Sequence, residues 1–412
     1  MKFIQNVEIS KYREFENKHK KSHFLQSYEW GQFCKRAKRQ IPRYVGMEDN
    51  DGNLVATCLI LLKYTPFGFS YGYAPRGFVL DYNNKDVIKE FTNYLKQYMK
   101  DNKIIYIKFD PDIKYQDIDD DGNKIEGGEN NYELYNYMLS LGYKHTGFYK
   151  LYEGNQPRYT FSIDLKKPWE EIEAKFNKSF MKSVKRSYSY NLVVDNDVKV
   201  DDFYRLIQSN SSKDDFDPHN LEYYKIFSDE MAKNNNMKYF NISIRPKELL
   251  SNISKDIEVL NKELDVNKKK EVDIKNKIAR LEKEKEVFSK IDKDEVCVCS
   301  LICTYTKNRA WSLYIGSDDL ANFTFAVTRS YYEAIKDAYS NGYEFFDLFG
   351  TPGDPNTKYK NLAKLHDFKR KFGDEYIEFI GEFDLVNNKI LYKMLPIMLS
   401  VYRKLRRKQC LK

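Results

Sequence analysis

Residues 310–349 read AWSLYIGSDDLANFTFAVTRSYYEAIKDAYSNGYEFFDLF. The pattern predicts a strand from Ala310 to Ile315, a helix from Phe325 to Asn341 ended by Asn341-Gly342, and a strand from Tyr343 to Phe349 that closes on Asp347. The same unit stands earlier in the chain. Phe69 to Val79 alternates like a strand, Lys85 to Asn102 carries Val87, Ile88, Phe91, Leu95, Tyr98 and Met99 at helical intervals, and Ile104 to Phe109 is a strand running to Asp110. Tyr71 and Asp110 are 39 residues apart, and Tyr314 and Asp347 are 33 apart. Two similar α+β domains in tandem explain the repeat most economically; the alternative is two unrelated copies of a common unit.

Working outward, Phe24 to Lys38 predicts an amphipathic helix, and Pro42 to Val45 and Leu54 to Lys63 predict strands joined by an Asp51-Gly52-Asn53 turn. Between Pro246 and Lys293 aromatics nearly vanish. Leu250, Ile253, Ile257, Leu260 and Leu264, then Ile274, Ile278, Leu281 and Phe288, predict two antiparallel helices separated at Lys268-Lys269-Lys270. The expected organisation is a first domain at 1–155, the start of a second at 156–245, a helical arm at 246–295, the remainder of the second domain at 296–385 and a basic amphipathic tail at 386–412. The arm is a spacer, an association surface for this chain or related proteins, or a reach toward a polyanion.

The 412 residues hold 69 Lys and Arg against 61 Asp and Glu, a formal charge of 69 − 61 = +8. With 34 Tyr and 27 Phe the chain is expected to fold without disulfide staples, and six cysteines in this length exclude a disulfide scaffold. A bilayer span of ~20 apolar residues and a signal peptide are both missing from the pattern, so the cytoplasm is the expected location. Asp117-x-Asp119-x-Asp121-Gly122 opens like a calcium loop, but its twelfth position is Gly128, so Asp110 to Glu129 is expected to be a solvated loop. The five histidines lack metal-ligand spacing, and Cys297, Cys299 and Cys303 lie in an apolar strand. No phosphate-binding glycine motif occurs. The strand-to-helix junctions Tyr82 to Asp86 and Asp318 to Phe323 hold only residues with Cβ, which argues against an acetyl-coenzyme A site.

Three basic clusters remain: Lys35, Arg36, Lys38 and Arg39; Lys175, Lys178, Lys182, Lys185 and Arg186, opposite Phe176, Phe180 and Val184; and Lys369 to Lys371, framed by Phe368 and Phe372. In Ile104 to Asp110, alternation places Tyr106, Lys108 and Asp110 on one face, and Lys108 is a substrate-binding candidate on that ground.

Gln26-Ser27-Tyr28-Glu29-Trp30-Gly31, Tyr73 to Asp81, Phe176 to Ser187, Phe346 to Gly350, Phe368-Lys369-Arg370-Lys371-Phe372-Gly373 and Ile380 to Asp384 occur in that order. The set resembles the Fem-type peptidoglycan aminoacyltransferases over nearly the whole chain. The resemblance implies two tandem acetyltransferase-like domains with a helical-hairpin insertion. It also implies transfer of an amino acid, with Gly, Ala or Ser expected, from aminoacyl-tRNA to the side-chain amine of the stem peptide of a peptidoglycan precursor. That reaction is the aminolysis of an ester and needs no metal or cofactor.

By the same resemblance, Lys369 beside Phe368 is the charge at the acyl donor, Lys35 a ligand of the precursor diphosphate, Asp81 the acceptor-site carboxylate, and Tyr223 and Tyr314 the groove aromatics. His219 stands where relatives often carry a diphosphate-binding Arg, and Ala37 where some carry an aromatic. Lys178, Lys182, Lys185 and Arg186 are candidate tRNA contacts. Leu395 to Lys412 combines apolar residues with Arg403, Lys404, Arg406, Arg407, Lys408 and Lys412 and has no acid, which suits an anionic membrane surface and a lipid-linked precursor over a soluble nucleotide-linked one. Competing readings are a non-catalytic tRNA- or membrane-binding module, and an acyltransferase for another amine.

Overall fold

A computed structural model describes residues 1–214, 217–266, 268–372 and 374–409; within these, the side chains of 212–214, 268 and 403–409 are not described. Gly373, Cys410 and Lys412 therefore lie outside the described residues, as do the side chains of Arg403 to Lys408. Two mixed sheets carry the fold. In the first, the spatial order is Lys2–Ile4, Ile41–Glu48, Leu54–Tyr64, Ser70–Ala74, Ile104–Phe109, Phe383–Val386 and Tyr143–His145, with Val79–Leu80 pairing beside Leu54–Tyr64. In the second it is Val193–Asp195, Met237–Ile244, Val296–Tyr305, Arg309–Ser317, Phe345–Thr351, Tyr159–Asp164, Glu375–Phe379 and Lys114–Asp117.

The pairings repeat along both sheets: three antiparallel, one parallel, then antiparallel again. Each parallel pair needs a crossover, which helices Lys85–Asp101 and Ala326–Ser340 supply. Pairing between Arg309–Ser317 and Phe345–Thr351 stops at Trp311 opposite Asp347, so the strands splay beyond it. The tandem α+β domains expected from the repeat are thus present, and in the second of them the parallel pair is splayed.

The sheets exchange strands. Phe383–Val386, which follows the second sheet in sequence, inserts into the first between Ile104–Phe109 and Tyr143–His145. Lys114–Asp117, inside the acidic segment expected to be a solvated loop, is instead the edge strand of the second sheet against Glu375–Phe379. The limits at 155 and 385 are crossed in both directions.

A shared core seals the contact. Phe24, Trp30, Phe33 and Leu61 from the first domain bury against Phe203, Tyr223, Phe227, Ile302 and Trp311 from the second. Each such side chain contributes roughly 1.5–3 kcal/mol on burial. Asp112 and Arg309, both largely buried, add an ion pair of 2.6 Å across the junction.

Several boundaries differ from the sequence reading. Phe24–Gln26 is a separate turn, and Ser27 caps the helix Tyr28–Lys38 by accepting from the Trp30 amide at 3.0 Å. Phe69 to Val79 divides into Ser70–Ala74 and Val79–Leu80. Phe325 adopts a left-handed φ of 59° between Asp319–Thr324 and Ala326–Ser340. The arm is a pair of helices, Pro246–Val266 and Glu271–Phe288, with Ile253, Ile257, Ile274, Leu281 and Phe288 in the seam. Its base is fastened where Tyr190 donates to Glu284 at 3.0 Å.

Because the first sheet takes a central strand from residues 383–386, a fragment of residues 1–155 is expected to show no cooperative urea transition by far-ultraviolet circular dichroism. A sigmoidal unfolding curve for that fragment would contradict the exchanged-strand account.

Candidate active site

The helix Tyr28–Lys38 places Trp30, Cys34 and Lys38 on one face by their four-residue spacing. Alternation in Leu54–Tyr64 presents Leu61 and Lys63 on the same side, and the neighbouring strands present Tyr71 and Tyr73, then Tyr106 and Lys108. Together with Asn155 and Gln156 these residues enclose a cleft of about 290 Å³. Among the described residues, three lysines line it and none of the lining residues is a carboxylate.

The lysines differ in their partners. The Lys38 ammonium lies over the rings of Trp30, Phe33 and Tyr223, at 4.9, 5.3 and 5.7 Å from their centroids. Burial pulls its pKa below the ordinary lysine value, and Lys63 repels it further. Lys108 pairs with Glu382 at 3.2 Å and Asp384 at 3.0 Å, and these carboxylates hold its pKa up against the opposing effect of burial. The strand face proposed for Tyr106 and Lys108 therefore is the cleft face. Lys108, however, arrives there already neutralised, so Lys38 and Lys63 carry the cleft's uncompensated charge.

Behind the cleft lies Asp110, buried at 3% exposure. Its Oδ1 accepts from the Tyr73 hydroxyl at 3.1 Å and the Arg76 amide at 3.0 Å, while Oδ2 has no hydrogen-bond partner among the described residues. Burial pushes its pKa up to about 7, with Arg76 opposing the shift. Tyr73 both lines the cleft and holds this acid.

At the cleft's rim, His219 stacks on Tyr223 at 3.7 Å, and the Tyr223 and Tyr314 hydroxyls are 3.1 Å apart. Burial, and then Lys38, lower the His219 pKa, so at neutral pH the ring lacks the charge an arginine would bring.

Lys369 ends the helix Lys360–Lys369 and does not line the cleft. Its buried ammonium donates to the carbonyls of Phe349 at 3.0 Å and Gly350 at 2.7 Å. The carbonyls are presented by a strained turn in which Phe349 has φ 59°, braced by Asp347, whose Oδ1 accepts from the Phe349 amide and the Thr160 hydroxyl at 2.7 and 2.6 Å. Burial drives the Lys369 pKa down to about 7, with Asp347 only partly offsetting it. A Cβ on Gly350 would stand 2.1 Å from Pro157 Cγ, so this position admits only glycine at such close approach. Residues 155–157 are thus a partition, with the cleft on one side and the Lys369 ledge on the other.

Phe368 packs on Tyr331 and Phe372, and Phe372 packs on Phe180 of the helix Lys178–Ser187. The Asn177 amide donates to the Lys371 carbonyl at 2.9 Å. Lys178, Lys182 and Lys185 on that helix are exposed, and the Arg186 guanidinium lies 4.8 Å from the Phe325 ring centroid. Two expected site residues stand apart. Asp81 is exposed in the turn before Lys85–Asp101, where its Oδ1 accepts from the Asn83 amide at 3.0 Å, and Asp81 is not in the cleft wall. Lys35 is exposed and outside the cleft lining, because five residues from Trp30 turn it about 140° away on the helix whereas Lys38 returns to the same side.

The sequence profile described as the FemAB family matches residues 7–399. The chain belongs to the FemAB family. It is 26% identical over 407 residues to "Lipid II:glycine glycyltransferase" of Staphylococcus epidermidis, covering 94% of each protein. It is 34% identical over 170 residues to "Aminoacyltransferase FemA" of Staphylococcus aureus, covering 40% of this chain and 39% of that protein. The crystal structure of FemX superposes with a TM-score of 0.77 at 22% identity, over 96% of this chain and 99% of the other, which places the fold. This FemAB protein thus carries two distinct polar centres on that fold, the lysine cleft and the Lys369 ledge.

An unfolded lysine keeps a pKa of about 10.4. Between about pH 7 and 10 the unfolded chain therefore binds the proton that buried Lys369 has lost, and stability must rise with pH over that window. Lys369→Met removes this contribution. Urea titrations of both proteins at about pH 6.5 and 9 are expected to show wild type gaining on the variant as pH rises; a pH-independent difference would contradict the depressed lysine.

Proposed function

We propose that this protein is an aminoacyltransferase that moves an amino acid from aminoacyl-tRNA to the side-chain amine of the stem peptide of a peptidoglycan precursor. The observation that carries the reading is a lysine cleft backed by a carboxyl group with a pKa near 7 and separated by one chain segment from a buried lysine. The names of the FemAB relatives supply the substrate class: one acts on lipid II, another is an aminoacyltransferase.

The chemistry follows from the parts. Lys38 and Lys63 hold the anionic portion of the precursor, with the aromatic rings of the cleft packing its uncharged part. The acceptor amine attacks the ester carbonyl, its proton passes toward Asp110 by way of Tyr73, and Asp110 at pKa about 7 is a suitable base at neutrality. In its protonated form Lys369 spends two N–H groups on carbonyls, and its third is the donor for the developing oxyanion. Collapse breaks the ester C–O bond, and the tRNA ribose oxygen takes up the proton the amine has lost and leaves as a hydroxyl. Alignment of the two substrates contributes about 7–11 kcal/mol of the barrier reduction. Asp110 takes the acceptor-site role expected for Asp81, and Lys38 the anion-binding role expected for Lys35.

The donor carries its own activation, so no cofactor is required. At both strand-to-helix junctions the amides that would hold a coenzyme pyrophosphate are capped by side chains of this protein, Asn84 on Val87 and Asp318 on Leu320. The exposed lysines of Lys178–Ser187, tied to the Lys369 segment, fit the tRNA. In the C-terminal helix Lys389–Gln409, Ile390, Met394, Ile397 and Val401 are exposed at intervals that share one face. No helix among the described residues is long and apolar enough to cross a membrane. That apolar face, with the basic residues after it, fits peripheral attachment to an anionic leaflet and a lipid-linked acceptor.

The test is incubation with tRNAs charged with labelled Gly, Ala or Ser and with precursor, lipid-linked in anionic vesicles or soluble and nucleotide-linked. Label in the precursor is expected, and none from any charged tRNA would overturn the catalytic reading. Lys369→Ala should abolish transfer while precursor affinity stays near wild type; an equal loss of affinity would refute its role at the donor. Deleting residues 403–412 should lower transfer to vesicle-borne precursor alone, and equal transfer to both would refute the membrane role.

A further inference from the structure

Four chain turns meet at one edge of the first sheet. Ile41 pairs with Leu62, Tyr64 with Ser70, Ser70 with Ile104 and Tyr106 with Val386. The turn before Ile41–Glu48, the hairpin 64–70, the turn 101–103 and the entry to the C-terminal helix therefore lie along the same side. That entry is fixed in place, because the Asn387 and Asn388 amides both donate to the Ile105 carbonyl, at 3.0 and 3.2 Å.

The hairpin holds two rings out in solvent. Thr65, itself buried, closes the turn by donating from both its amide and its hydroxyl to the Phe69 carbonyl, at 2.8 and 3.0 Å. On this preformed turn Tyr64 and Phe67 are 58% and 46% exposed. Exposed rings standing singly would be ordinary. These two stand amid charge of one sign: Arg39, Lys63, Lys100, Lys103 and Lys389 are all exposed along the same edge. The one acid in 38–41, 62–70, 100–104 and 386–390 is Asp101, which accepts from Gln97 at 2.8 Å.

Rings on a tight turn within a basic rim match the interface of an anionic bilayer, where aromatic side chains sit at headgroup depth and lysines meet lipid phosphates. A single-stranded polynucleotide would also attract the lysines and stack on the rings. The edge, however, carries an aliphatic side chain as well, Ile390 at 72% exposure, and with it begins the unpartnered apolar face of the C-terminal helix. The lysine cleft reaches this edge too, since Gln40, Lys63 and Tyr71 are among its walls. Tyr71 stacks on Tyr106, and Tyr106 meets Tyr392 of the C-terminal helix edge-on at 5.1 Å, so one row of rings runs from the cleft to that helix.

We propose that the hairpin tip, with Tyr64 and Phe67 inserted and the surrounding basic residues on the headgroups, is a second contact with an anionic bilayer, separate from the C-terminal tail. Two contacts on different elements fix an orientation, which one tail cannot do. This orientation holds the mouth of the cleft against the leaflet, where the anionic part of a lipid-linked acceptor would enter beside Lys63; that consequence rests on the reading of the cleft as the acceptor site, and the bilayer contact does not.

Binding of the full chain to vesicles of phosphatidylglycerol and phosphatidylcholine, measured by sedimentation, tests the surface. Tyr64→Ser combined with Phe67→Ser should weaken partitioning about tenfold or more, with the urea midpoint unchanged. Unaltered partitioning would overturn the proposal. Phe67→Trp supplies a direct probe: with brominated lipid in the vesicles, its fluorescence in excess of the wild-type signal should be quenched, and an unquenched excess from vesicle-bound protein would overturn the insertion. Binding to uncharged tRNA should be the same for wild type and the double variant; a loss there with vesicle binding intact would make the edge a nucleic-acid contact instead. In the transfer assay, the double variant should lose activity toward vesicle-borne precursor and keep it toward the soluble, nucleotide-linked one. If no precursor accepts label from any charged tRNA, the transferase reading fails, while the sedimentation and quenching results still decide the bilayer contact.

Discussion

Lys108, Glu382 and Asp384 form a buried charged cluster on which the rest of the structure depends. Asp384 is 2% exposed and lies opposite Lys108 in the register of the exchanged strand. Isolated charges at that depth would cost several kcal/mol each, so strand Phe383–Val386 is fixed in the register that pairs them. The same carboxylates reach outward. Glu382 accepts from the backbone and side chain of Asn155, which forms part of the cleft wall, and Asp384 accepts from the Tyr392 hydroxyl at 2.6 Å in the C-terminal helix. One cluster therefore sets the cleft floor, its partition and the take-off of the tail. The contribution of such a cluster is specificity of arrangement more than net stability.

That arrangement gives two copies of one topology different polar centres. The first sheet's parallel pair ends over a cleft of lysines and aromatics; the second sheet's ends in the strained turn that holds Lys369. Residues 155–157 lie between them and touch both, through Gln156 in the cleft and Pro157 on Gly350. An acceptor bound on one side and an activated ester on the other would meet across this partition. The strand exchange ties the two halves together, so the distance between the cleft and the Lys369 ledge is set by the fold and not by a linker.

The repeat, the helical arm and the basic helix were legible in the sequence because each rests on local periodicity. Lys108 was legible for the same reason, since alternation alone sends Tyr106 and Lys108 to one side. Lys38 and Lys63 were readable in principle from their spacing to Trp30 and Leu61, but a run of like charges hides which member points inward. Asp110 was visible as a strand-end acid, whereas its burial depends on Tyr73, Arg76 and the exchanged strand. The exchange itself was not legible. Phe383–Val386 and Lys114–Asp117 have four residues each, and what pairs them is complementarity with strands more than 200 residues away. The acidic residues around Lys114–Asp117 look solvated, yet Lys114 pairs with Glu375 at 2.8 Å across the sheet edge.

The most direct test of where the acceptor binds is hydrogen–deuterium exchange of the full chain with and without a purified peptidoglycan precursor. Slowed exchange is predicted in 28–40, 61–74, 104–109 and 155–157, the segments that build the lysine cleft. Protection that leaves these segments unchanged and falls instead on the turn around Asp81 or on the second domain alone would contradict the assignment of the cleft as the acceptor site.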